Sequence, residues 1–116
     1  MLTAFPATEP SWALRAYLVL IGCAFRSETI TYGQLAAAIK RGGPNFLSKP
    51  LDCLTRWCTR NGQPQIASLV VEQTTGMPAL GFAAVSRDAI PTEHKKVWAN
   101  DWFSHFPPTV EELAEK

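Results

Sequence analysis

Cysteine occurs only at positions 23, 53 and 58 of the 116 residues. An odd number of thiols in apolar, helix-like surroundings argues against a disulfide framework and fits a reducing cytoplasm. Histidine is scarcer still, with only His94 and His105. Long apolar runs are missing as well. The longest stretch, residues 12–25, is broken by Arg15 and falls short of the roughly 20 residues that span a bilayer. Leu20-Ile21-Gly22-Cys23 has the form of a lipoprotein cleavage box. However, the apolar run before it, residues 16–21, is shorter than the roughly 7–15 residues of a secretory core. Glu9 and Pro10 also stand where a basic leader belongs, so this box is read as part of a helix. Glycine-rich phosphate loops, serine elbows and paired-carboxylate motifs do not occur. The expectation is a chain that is not an enzyme and needs no cofactor.

What is present suits one packed domain, whose usual size is roughly 100–150 residues. Hydrophobic residues make up 47% and charged residues 18%, a balance that builds a core rather than a solvated coil. The net charge of +1 hides an asymmetry. Residues 1–70 carry seven cations against Glu9, Glu28 and Asp52, and residues 71–116 carry four against seven carboxylates. A basic front and an acidic back could orient the molecule on a polyanion.

Residues 1–8 read as a loosely held arm. Thr8 can cap a first helix, with Glu9 at its positive end, Pro10 in its first turn, and Trp12, Leu14, Tyr17, Leu18, Leu20, Ile21 and Phe25 along it. A helix apolar nearly all round is expected to be central and buried. Thr31-Tyr32-Gly33-Gln34 is a capping box, and Ile30 with Leu35 makes a hydrophobic staple. A short helix should follow to about Lys40, with Gly42 and Gly43 stopping it. Residues 44–46 form a turn. A further helix then carries Leu47, Leu51, Leu54 and Cys58 on one stripe, with Trp57 beside it and Asn61-Gly62 at its end. Pro50 sits in its first turn, capped by Ser48, or kinks a longer helix begun near Pro44. Two short helices joined by a glycine-containing turn, over about residues 31–61, have the helix-turn-helix layout.

The periodicity then changes. Residues 66–71 are rich in β-branched side chains, Thr74-Thr75-Gly76 makes a turn, and residues 80–85 offer a return strand. The expected class is α/β (α+β): a winged helix-turn-helix-like domain, helical with a short antiparallel β-hairpin wing over about residues 66–85. A C-terminal helical extension, about residues 91–116, holds a helix near residues 92–102. A second capping box, Thr109 with Glu112, starts a terminal helix expected to fray.

The run Ile30-Thr31-Tyr32-Gly33-Gln34-Leu35-Ala36, followed by Gly42-Gly43, Pro64, Val70-Val71 and Gly76, resembles the DNA-binding domain of alkylguanine-DNA alkyltransferases and alkyltransferase-like proteins. The similarity covers about residues 28–76. It implies a winged-helix layout and phosphate contact. The family's Pro-Cys-His-Arg run is replaced here by Pro64-Gln65-Ile66-Ala67-Ser68-Leu69, so its thiolate chemistry is not implied. Where the non-catalytic relatives place a nucleotide-displacing arginine, this chain has Ser48-Lys49-Pro50.

Two binding surfaces follow. Lys40, Arg41, Lys49, Arg56 and Arg60 lie on or beside the two helices that would face DNA, where cations neutralise phosphates. Trp98, Trp102, Phe103 and Phe106 would instead form a patch for a protein partner. DNA is therefore the first expected partner. A protein complex is the second, with the chain as a small regulator or inhibitor such as a phage-encoded anti-defence protein. No membrane association is expected. Cys53 and Cys58 with His94 or His105 lack the spacing of a zinc knuckle, and Asp101 with His105 reads as a surface pair near a helix end.

Overall fold

The computed structural model describes residues 2–116, with only the backbone described at Pro44. It is mostly helical: α1 spans Glu9–Phe25, α2 Tyr32–Ile39, α3 Ser48–Arg60, α4 Ile90–Ala99 and α5 Val110–Ala114. Two strands, β1 (Ile30–Thr31) and β2 (Val70–Val71), make the one sheet among the described residues. No helix among the described residues is long and apolar enough to cross a membrane.

α1 is the axle. Thr8 caps it through Ser11 N–H at 3.4 Å, and its inner face buries Ala13, Ala16, Tyr17, Leu20, Cys23 and Ala24 against α2, α3, α4 and α5. Tyr17 meets Trp57 and Trp102 edge-on, at centroid distances of 5.8 and 6.4 Å. Full burial was expected, but Leu18 and Phe25 remain 50% and 76% exposed. The lipoprotein-like tetrad lies inside α1, with Cys23 in the core.

The capping box at α2 has the anticipated geometry. Gln34 N–H donates to Thr31 Oγ1 at 3.1 Å, and Thr31 N–H donates to Gln34 Oε1 at 3.0 Å. α2 ends near Lys40 as expected, but not by way of the two glycines. Lys40, at φ 61°, takes the left-handed cap position, and Arg41 N–H returns to Ala36 O at 3.0 Å before either glycine is reached. A 3₁₀ turn, Pro44–Phe46, leads into α3. Pro50 lies in the first turn of α3, but the N-cap is Leu47, which offers no side-chain acceptor, so Ser48 is not the cap.

The antiparallel wing is not present. Residues 66–69 form a 3₁₀ turn, and β2 pairs in parallel with β1, Ile30 opposite Val70 and Thr31 opposite Val71. Residues 80–85 are turn, irregular chain and bend rather than strand. Gly81 and the Ala83-Ala84 pair give that segment little β preference. Its neighbour is held otherwise: Glu72 N–H donates to Met77 O and Gly76 N–H to Glu72 O, both at 2.8 Å, which closes a turn before any ladder can form. The parallel pair is joined by a crossover holding α2 and α3, as parallel strands require.

α5 does not behave as a loose end. Leu113 is fully buried, and α5 packs on both α1 and α3. Ahead of it, the expected helix to residue 102 stops at Ala99, and a 3₁₀ turn covers Trp102–Ser104. Asp101 and His105 therefore do not share a helical face.

Candidate functional site: a cleft on the outer face of α3

α3 buries Pro50, Leu51, Cys53, Leu54, Trp57 and Cys58, which leaves Ser48, Asp52 and Thr55 along its outward side at helical spacing. That stripe forms one wall of a cleft of about 750 Å³. Thr31, Tyr32 and Gly33 of the first turn of α2 form another wall, with Ala67 and Val71 at the base. Glu72, Gln73, Ala79, Gly81 and Phe82 close the far side. The volume falls within the roughly 300–1,000 Å³ usual for ligand clefts.

Local hydrogen bonds set this shape. Ala79 N–H donates to Tyr32 Oη at 2.9 Å and so fastens the far wall to α2. Phe82 N–H donates to Ala79 O at 2.9 Å, and Arg87 Nη1 donates to Pro78 O at 2.8 Å. Burial pushes the Tyr32 hydroxyl above its ordinary range, with the nearby Glu72 charge acting in the same direction and the Ala79 N–H against it. The hydroxyl thus stays protonated, with its own proton still to place. Thr55 Oγ1 donates to Leu51 O at 3.0 Å, which leaves its lone pairs toward solvent. The charged lining residues are Asp52 and Glu72, and neither side chain has a hydrogen-bond or ion-pair partner among the described residues. A second, shallower groove lies by Trp98, lined by Arg26, Glu28 and Thr29. Its two charges satisfy each other at 2.8 Å.

The five expected DNA-facing cations are dispersed. Arg60 Nη2 donates to Glu112 O at 2.6 Å and Nη1 to Glu115 O at 3.2 Å, while Arg56 Nε donates to the same Glu115 carbonyl at 3.3 Å. Both guanidinium groups thus cap the C-terminal end of α5, a favourable place for positive charge. Arg41 pairs with Glu9 at 3.0 Å and lies over Trp12 and Phe46, each at 5.1 Å. Arg15, not singled out from the sequence, lies over the other partners of that stack, Trp12 at 4.1 Å and Phe5 at 5.0 Å. Lys40 and Lys49 are exposed and form no ion pair among the described residues.

The aromatic quartet divides as well. Trp102 is buried, its Nε1–H bonded to Val97 O at 2.9 Å, and Trp98 anchors Glu28 O at 3.1 Å. Phe103 is exposed and meets Phe25 edge-on at 5.9 Å, and Phe106 is 94% exposed. Cys53 and Cys58 face the core, and His94 Nε2 lies 2.7 Å from Ser68 O. Among the described residues, no three His, Cys, Asp or Glu side chains are grouped as metal ligands would be.

No protein-family model, curated protein or solved structure matches the chain. Its function is therefore argued from its own geometry.

The cleft is not legible in sequence because its walls come from four separated segments, residues 31–33, 45–55, 67–73 and 79–82. One signal was available. The outward spacing of Ser48, Asp52 and Thr55 is the complement of the apolar stripe and could have been read for its content of acid and hydroxyl.

Proposed function

We propose that the chain is a non-catalytic protein-interaction module that receives a partner in the cleft beside α3. The observation that carries this reading is the company the cleft keeps. Phe46, next to the lining residue Asn45, is 56% exposed, and Leu80, between the lining residues Ala79 and Gly81, is 81% exposed. Large apolar side chains adjoining the cleft in sequence and largely exposed, Phe46 with one face against Arg41, gain from a ligand bigger than the cleft itself. A small molecule seated at the base would leave both bare.

A peptide-display selection against the folded protein, with heteronuclear NMR mapping of the selected peptides, tests this. The expected result is peptides that shift the amide signals of residues 31–33, 48–55 and 79–82 and lose affinity with Thr55→Trp, which obstructs the cleft. Selected peptides that map elsewhere, or a selection that returns none, overturn the reading.

Contact with DNA, implied by the alkyltransferase resemblance, remains the second reading, and one observation favours it. Phe5, Arg15, Trp12, Arg41 and Phe46 alternate ring and guanidinium in one stack, with Lys40 adjoining it in sequence and Lys49 a few residues on. Aromatic rings interleaved with cations suit single-stranded segments and phosphates better than base edges in a duplex groove.

A further inference from the structure

Charge is the feature of the cleft that its shape does not explain. The chain as a whole is slightly basic, yet no lysine, arginine or histidine lines this cleft. Asp52 stands on the α3 wall and Glu72 on the far wall, just past β2. Five of the other eight acids are engaged, Glu115 with Arg60 among them; Asp88, Asp101 and Glu111 have no side-chain partner among the described residues but do not line the cleft. Glu9 holds Arg41, Glu28 holds Arg26, Glu93 accepts Gln65 N–H at 2.7 Å, and Glu112 completes the capping box of α5. Asp52 and Glu72 do nothing comparable among the described residues. Arg87 is not among the lining residues; its Nη1 donates to Pro78 O, and its charge acts on the Tyr32 hydroxyl from outside the cleft. The N-terminus of α2 faces the same space, and there the capping box already occupies Thr31 and Gln34 N–H.

We infer that the cleft selects a protein segment carrying an arginine or lysine, whose cationic end sits between Asp52 and Glu72 and whose stem lies against Tyr32 and Phe82. This rests on the interaction-module reading above and specifies the chemistry of its partner. Three physical terms combine. Two carboxylates on facing walls attract one cation without having to leave a partner of their own, so the unbound protein loses no ion pair on binding. The rings of Tyr32 and Phe82 accept an alkyl stem and favour a cation over their faces. The exposed Phe46 and Leu80 receive the apolar neighbours of that residue in the segment. A free inorganic cation would use the first term only.

The test uses the full chain and two kinds of probe. The first is each peptide recovered by the selection, synthesised with its arginine or lysine and again with glutamine at that position. The cationic form is expected to bind about tenfold more tightly at low salt, the effect of one charge-assisted hydrogen bond. Asp52→Asn and Glu72→Gln should each remove a few-fold of that preference, and the double variant should remove all of it. Both residues are outside the core, so thermal unfolding is expected to match the wild type and to confirm that the variants fold. The second probe is N-acetyl-arginine amide against N-acetyl-glutamine amide, titrated by NMR. Only the former should produce saturable shifts at Asp52 and Glu72.

Cleft-binding peptides that carry no cation, or that bind equally with glutamine, overturn the inference and leave the module reading standing. Undiminished arginine preference in the double variant also overturns it, because the cation then sits elsewhere. If neither selected peptides nor the arginine amide binds, both readings fall together.

Discussion

Cys58 shows how burial of a single side chain ties stability to pH. Removal from water pushes its thiol from an ordinary 9.0 up to about 11. Cys23, Cys53, Tyr17 and Tyr32 are pushed in the same direction, again chiefly by burial. In the unfolded chain these groups ionise near their ordinary values. Above about pH 9 the unfolded state has therefore lost protons that the native state retains, and stability must fall as pH rises. The contribution is intact below the unfolded value and is lost as pH climbs toward about 11. For Cys58 alone it is on the order of 3 kcal/mol. Denaturant midpoints measured from pH 7 to about pH 10.5 should decline steeply at the alkaline end. Cys58→Ala should start lower, having lost packing, and decline less; parallel curves would mean that the thiol is not kept neutral by the fold.

Elements were legible where a local rule sets a boundary. Thr8, Thr31 and Thr109 announce three helix starts, and the stripe Leu47, Leu51, Leu54 and Cys58 fixes the face that α3 buries. What escaped was non-local. Two-residue strands carry no periodicity, so nothing in Val70-Val71 says that its partner is Ile30-Thr31 rather than residues 80–85. The residue that stops α2 differs from expectation for a different reason. A left-handed cap is usually glycine, and Lys40 takes it two residues before Gly42 because the returning amides of Lys40 and Arg41 find Ala37 and Ala36 carbonyls there. The candidate site was least legible, since a cleft exists only once α2, α3 and the 72–82 segment have been brought together. α5 offers a test at this scale. Arg60→Ala removes its donors to the Glu112 and Glu115 carbonyls and the ion pair with Glu115. A loss of about 1 kcal/mol is expected, as for hydrogen bonds at a partly exposed site. Amide exchange over residues 110–114 should accelerate far more than exchange in α3. Equal acceleration in both helices would show that α5 and α3 open only as one unit.

For the whole molecule, the basic front and acidic back of the sequence do not become two faces in space. The acidic C-terminal stretch folds onto the basic helix α3, where Glu115 pairs with Arg60 and its backbone carbonyl also accepts from Arg56. Opposite charges brought together cancel at a distance, so electrostatic steering toward a polyanion is weak. Binding to a generic duplex is therefore expected to be detectable at low salt and lost by moderate salt. Lys49→Ala should change it little. Tight binding that persists at moderate salt, weakens with Lys49→Ala and sheds about one counterion from its salt dependence would instead make DNA the partner. The cleft would then lose its claim to be the main site.

The docking of α5 also has a consequence for how the molecule comes into being. α1 emerges from the ribosome well before α5, yet the surface of α1 that packs against α5 stays uncovered until residues 110–114 have emerged. The β1–β2 pair likewise waits for some forty residues of intervening chain. Native packing of these elements is thus completed only after the last of them, α5, is free of the exit tunnel. Until then the nascent chain exposes the apolar side of α1 to whatever chaperones attend it.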